Sequence, residues 1–137
     1  MYERLLAAVD DSEVSPRVIA AAKELASLSQ GQVWVLHLRE REFGRLGLTP
    51  IESDDEAREP VRAGVEALTQ AGIDAHGEVR ETVFGHAARE IVKGAQEHDA
   101  SVIIMGSRGR SELTEAMLGS TAHKVIHLTD RPVMVVR

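Results

Sequence analysis

Residues 101–109 read Ser-Val-Ile-Ile-Met-Gly-Ser-Arg-Gly, and after nine intervening residues Gly119-Ser120-Thr121 opens a new amphipathic stretch. An apolar run that stops at a glycine turn reads as a strand covered on both faces. The same unit stands at the start of the chain, where Leu5 to Val9 are apolar and Asp10-Asp11-Ser12 break the run. Ser15-Pro16 then offers an N-cap and first-turn pair for Val18, Ile19, Ala22, Leu25 and Ala26 at helical spacing, with Gly31 as the stop. Val33 to Leu38 gives a second buried strand. Val61, Val65 and Leu68 recur at helical spacing up to Gly72. Ile73, Ala75, Gly77 and Val79 alternate with polar residues, the pattern of a strand with one wetter face at a sheet edge. Gly85 precedes a third helix through Ala87, Ala88, Ile91, Val92 and Ala95, and Ala122, Val125 and Ile126 mark a fourth. Pro132 starts the last strand, Val133 to Val136. Strands and helices thus alternate five to four, which predicts an α/β fold: one open parallel sheet with helices on both faces.

The 137 residues suit a single domain spanning 1–137, and no linker or internal repeat divides them. The stretch Arg39 to Glu59 is polar and acidic, interrupted by Gly44, Gly47 and Pro50, and is the best loop candidate. Its carboxylates Glu52, Asp54, Asp55, Glu56 and Glu59 read as a solvated, mobile charge run. A net charge of −6 and only four scattered aromatics speak against a nucleic-acid partner. No apolar run is long enough for a membrane span, and the N-terminus turns acidic too soon for a signal peptide. The absence of cysteine removes thiolate chemistry and fits a reducing cytoplasm.

The glycines after the fourth strand have a chemical reading. Glycine lets backbone N–H groups approach an anion with no Cβ in the way. Gly119-Ser120 opens the last helix, where unpaired N–H groups and the positive dipole end favour phosphate. The Ser120 and Thr121 hydroxyls can donate to phosphate oxygens, and Arg108 adds positive charge. The plainer alternative is that these are turn glycines only. In open α/β sheets ligands bind at the carboxyl ends of strands where the strand order reverses. If the first and fourth strands are neighbours, Asp10 and Gly106 face one crevice. Asp10 then either accepts from a ribose hydroxyl or caps the adjacent helix or turn.

The pattern Gly106-x2-Gly109-x9-Gly119-Ser120 resembles the nucleotide-binding motif of the universal stress protein (UspA-like) family, in its ATP-binding branch. LLAAVDDSEVS, VWVLHL, VFGHAAREIV and VIIMGSRGRSELTEAMLGSTAHKVI with RPVMVV extend the likeness over essentially the whole chain. The resemblance implies a five-stranded parallel sheet of order 3-2-1-4-5, Rossmann-like or adenine nucleotide alpha hydrolase-like, and a homodimer paired through the last strand. By position, it implies that Ala8, Val9, Asp10, Leu38 and Met105 line an adenosine pocket, although Leu38 and Met105 equally suit plain core packing. It implies that Gly106, Arg108, Gly109, Gly119, Ser120 and Thr121 surround the phosphates. ATP is the implied cofactor, with any Mg2+ or Mn2+ held mainly by the phosphates. The leading expectation is an ATP-binding regulatory module in stress response. The alternatives are a slow ATPase or autophosphorylating enzyme, and a nucleotide-free dimeric protein working through partner contacts.

Other constellations carry less. His123 and His127 stand four apart on the last helix but lack a third ligand, so they are not read as a metal site. His37 lies within an apolar strand and reads as a core or pocket histidine. GxxxxGK[ST], GxGxxG after the first strand and GxSxG are all absent, so neither a P-loop, a dinucleotide fingerprint nor a nucleophile elbow is expected.

Overall fold

The computed structural model describes residues 1–108 and 117–137. In chain order these form β1 (Arg4–Ala8), α1 (Ser15–Ser29), β2 (Gln32–Gly44), β3 (Gly47–Pro50), α2 (Asp54–Gln70), β4 (Ala75–Val83), α3 (Ala87–Glu97), β5 (Val102–Gly106), α4 (Ser120–Leu128) and β6 (Val133–Val136). The five expected parallel strands are present as β1, β2, β4, β5 and β6. They lie in the order β4-β2-β1-β5-β6, which is the expected 3-2-1-4-5 in these labels. Among the described strands, the wetter β4 pairs only with β2 and so forms one edge, and β6 pairs only with β5 and forms the other.

The apolar runs are continuous because both faces of the central strands are covered. Leu5 and Ala7 of β1, with Val102 and Ile104 of β5, pack under Val18, Ile19 and Ala22 of α1 and Val61 and Leu68 of α2. The alternate residues Leu6, Ile103 and Met105 pack against Ala88, Ile91, Val92 and Ala95 of α3 and Ala122 and Val125 of α4. Each strand therefore contributes to two cores, and no polar residue fits at β1 or β5 positions between them. The end of α1 departs from expectation in detail. Gln30, not Gly31, takes the left-handed conformation (φ 57°). Gly31 is required for space, since a Cβ there would stand 2.6 Å from the Tyr2 carbonyl oxygen.

The stretch Arg39–Glu59 is not a loop. β2 continues to Gly44, pairing in parallel with β4 up to Arg41↔Val83. It then turns back through β3, which is antiparallel to it from Arg41↔Pro50 to Gly44↔Gly47. Because β4 occupies one side of β2 at Arg41, β3 lies on the other, the side β1 occupies further back. β3 thus extends the sheet beyond the carboxyl end of β1 as a sixth strand. Charged residues hold this extension. Arg39 and Arg41 reach Glu81 of β4 at 3.2 and 2.6 Å, and Arg39 also pairs with Asp54. The helix α2 then starts at Asp54, seven residues before the first apolar position read from the sequence, through a capping box. The Ser53 hydroxyl accepts from the Glu56 N–H at 3.2 Å, while the Glu56 carboxylate accepts from the Ser53 N–H at 2.9 Å.

Candidate functional site

The strand order reverses between β1 and β5. A ligand site in an open α/β sheet is expected at their carboxyl ends. A cavity of about 590 Å³ opens there, within the roughly 300–1,000 Å³ range of small-molecule pockets.

On the β1 side, Val9 N–H donates to the Leu36 carbonyl at 2.9 Å, carrying the β1–β2 pairing one residue past the strand. The chain then turns at Asp10. Its Oδ1 accepts from the Ser12 N–H (2.8 Å) and from the Ser15 hydroxyl (3.0 Å), while the Asp10 N–H donates to Ser15 Oγ (2.8 Å). The expected Ser15 N-cap is therefore corrected. Val14 is the N-cap residue, Ser15 is the first residue of α1, and its hydroxyl serves Asp10 instead of the helix. One Asp10 oxygen organises the turn; Oδ2 accepts no hydrogen bond among the described residues.

On the β5 side, Ser107 N–H donates to the Val136 carbonyl at 2.7 Å, and Gly119 N–H donates to the Ser107 carbonyl. That second bond joins the end of β5 to the start of α4 across the intervening segment. Gly119 is the extended N-cap of α4 (φ −62°, ψ 154°), and no side chain among the described residues caps the helix. The first-turn N–H groups, which have no intrahelical partner, are thereby left at the cavity rim, with no acidic residue in that turn. Gly106 is confined by packing: a Cβ would lie 2.9 Å from Val14 Cγ1 and 3.0 Å from the Arg108 carbonyl oxygen.

Ala8, Val9, Asp10, Leu38, Met105, Gly106, Arg108, Gly119, Ser120 and Thr121 all line this one cavity. Gly109, the remaining residue of the motif, lies outside the described residues. Leu38 and Met105 both line the cavity and belong to the core, 9% and 5% exposed. The walls have opposite character. Arg108, Lys124 and the α4 N-terminus stand on the β5 side; Glu40 and Glu52 stand on the β2 side, with Asp10 between.

A family model described as "Universal stress protein family" matches residues 1–137. This chain belongs to the universal stress protein family. It is 38% identical to universal stress protein YxiE of Bacillus subtilis over the whole of both chains. A solved universal stress protein from Archaeoglobus fulgidus matches with a TM-score of 0.79 at 28% identity, again over the whole of both chains. The structure of the universal stress protein from Archaeoglobus fulgidus in complex with dAMP matches with a TM-score of 0.73 at 24% identity, over 100% of this chain and 98% of that one.

Within this family fold, several wall residues were not read as site residues from the sequence. Lys124 was legible in principle, four residues after Ser120 and so on the same face of α4. Ile51 and Glu52 were not, because they reach the cavity only through the β2–β3 extension. Glu52 also corrects the reading of the acidic run: it is 7% exposed, with Oε1 2.5 Å from His37 Nε2, while its neighbours Asp54, Asp55 and Glu56 remain exposed in the first turn of α2. His37 is buried and lines the cavity, so it is a pocket histidine. His123 and His127 pack edge to face on α4 with ring centroids 4.5 Å apart, and no cluster of three metal-ligating side chains exists among the described residues.

Proposed function

We propose that this universal stress protein binds an adenine nucleotide, ATP in the fullest case, in the cavity between β1 and β5, and that nucleotide occupancy regulates its contacts with partners. The observation that carries the reading is the placement of Asp10, with one carboxylate oxygen left over from its turn, across a single cavity from a helix N-terminus that opens on a glycine and has no side-chain cap among the described residues. A carboxylate suits ribose hydroxyls, and uncapped N–H groups suit phosphate. Arg108 and Lys124 would add charge to the phosphate side, and Ser120 and Thr121 would add hydroxyl donors. Ala8, Val9, Leu38 and Met105 would hold the nucleoside against apolar surface. A divalent cation would be held mainly by the phosphates. The Archaeoglobus fulgidus family member in complex with dAMP supports the choice of base.

A regulatory role is preferred to turnover because His37, the histidine of the cavity, has both ring nitrogens committed, to the Val9 carbonyl and to Glu52. It is therefore not placed to act as a general base. The β6 edge supports a homodimer: Val133–Val136 pairs with β5 alone among the described strands, and Met134 is exposed on it. Calorimetry with AMP, ADP and ATP tests the reading, with affinity rising along the series if the phosphate side acts as assigned. A phosphate-independent affinity would sink that assignment.

A further inference from the structure

The least economical feature of the cavity wall is the His37–Glu52 pair. Two ionisable side chains, 2% and 7% exposed, face each other in a place where apolar residues of similar volume would stabilise the fold at least as well. The bonding on both sides of the imidazole fixes the proton arrangement. Nδ1 is 2.8 Å from the Val9 carbonyl oxygen, which can only accept, so Nδ1 carries hydrogen. Nε2 faces Glu52 Oε1 with one proton between them. The result is a directed chain from the Val9 carbonyl through the imidazole to Glu52.

That chain connects three pieces of the cavity rim: the end of β1, the middle of β2, and the irregular segment between β3 and α2. The segment has two further ties to β2. Ile51 N–H donates to the Glu40 carbonyl at 2.9 Å, and Arg39 Nε donates to the Glu52 carbonyl at 3.1 Å. The Glu52 side chain is the tie that reaches across β2 to β1. It fixes the peptide following Val9, and Asp10 is the next residue.

We propose that His37 and Glu52 are positioning residues of the nucleotide site, a latch that holds residues 51–53 across the carboxyl end of β1 and sets the Val9–Asp10 backbone for the nucleoside. The role in binding rests on the function proposed above; the latch itself does not. The two ring nitrogens of His37 and Oε1 of Glu52 are engaged within the latch, so both residues act on the site by holding its backbone.

The test uses Glu52→Ala, Glu52→Gln and His37→Leu in the full chain. Amide hydrogen exchange is read without ligand, and AMP affinity is read by calorimetry. In Glu52→Gln the new amide donates to Nε2 while Nδ1–H stays on the Val9 carbonyl, so the directed chain survives. Expected for Glu52→Ala and His37→Leu is exchange about tenfold faster at Ile51 and Ser53, and AMP binding about tenfold weaker, with β5 amides at parental rates. Expected for Glu52→Gln is parental behaviour in both readouts to within about twofold. The latch is overturned if Glu52→Ala leaves exchange at residues 51–53 unchanged, if exchange rises equally throughout the chain, or if Glu52→Gln fails as completely as Glu52→Ala. Local exchange that changes as expected, with AMP affinity unaltered, overturns the positioning role. If the parent binds no AMP, the functional reading falls while the exchange pattern still decides the latch.

Discussion

At Asp10 one carboxylate oxygen is occupied in building the turn after β1 and the other is not, so substitution should have two separable effects. Asp10→Ala removes the acceptor for Ser12 N–H and Ser15 Oγ and should cost about 1–2 kcal/mol in denaturant unfolding. In calorimetry it should weaken adenosine and AMP alike, because the ribose contact is common to both. Gly119→Val should act the other way. Its backbone is extended, a conformation a β-branched residue adopts readily, so stability should hold. The added side chain at the α4 N-terminus should abolish the advantage of triphosphate over adenosine. Loss of adenosine binding in the same variant would mean the nucleoside pocket, not the phosphate side, had been damaged. These two residues were legible because a strand-ending acid and a helix-opening glycine leave local signals in the sequence. Glu52 left none. Its burial depends on a histidine fifteen residues away and on a hairpin whose first strand ends in a charged run, so no local pattern separates it from the exposed acids beside it.

At the scale of elements, helices and strands with an apolar stripe were readable and the charged extension was not. The run Arg39-Glu-Arg-Glu42 lacks the hydrophobicity that marks a strand. It is held by neighbours on both sides, β4 and β3, and by arginine–glutamate pairs that exist only after folding. The α2 start did carry a signal, Ser53-x-x-Glu56, which is a capping-box spacing obscured by the surrounding charges. Close packing of α2 makes a further prediction. A Cβ on Gly77 of β4 would stand 2.5 Å from Val61 Cγ1 and 3.1 Å from Val65 Cγ2. Gly77→Ala should therefore lower unfolding stability by about 1–3 kcal/mol, measured by urea denaturation. Charge on the same strand gives a pH dependence. Burial pushes the Glu78 carboxyl up, but hydrogen bonds from His98, at 2.9 Å, and Arg80 outweigh it and hold the group below its ordinary value of 4.5. A depressed folded-state value contributes stability above the ordinary carboxylate range and loses it as pH falls through the lowered value. The stability gap between parent and Glu78→Gln should thus be widest near neutrality and close as the solution is acidified below 4.5. A gap that widens on acidification would contradict the assignment.

For the whole molecule, the placement of the cavity follows from topology. An apolar first strand whose successors run outward on both sides leaves a crevice between β1 and β5; the alternation of strands and helices predicts the parallel sheet, and the strand order that places the crevice came from the family resemblance. The same order leaves β6 as an open edge. If dimers form there, Val135→Pro should convert them to monomers in light scattering, because proline removes a ladder donor and the ring resists edge pairing. On the proposed reading the cavity holds an adenine nucleotide by its phosphate at α4 and its ribose at Asp10. The most direct measurement is mass spectrometry of the small molecules released on denaturing freshly purified protein, followed by ATP calorimetry on stripped parent and Gly119→Val. Release of an adenine nucleotide, with micromolar ATP binding in the parent that Gly119→Val loses, is the predicted result. No released nucleotide and no heat at millimolar ATP would contradict it, leaving the glycines as architecture alone.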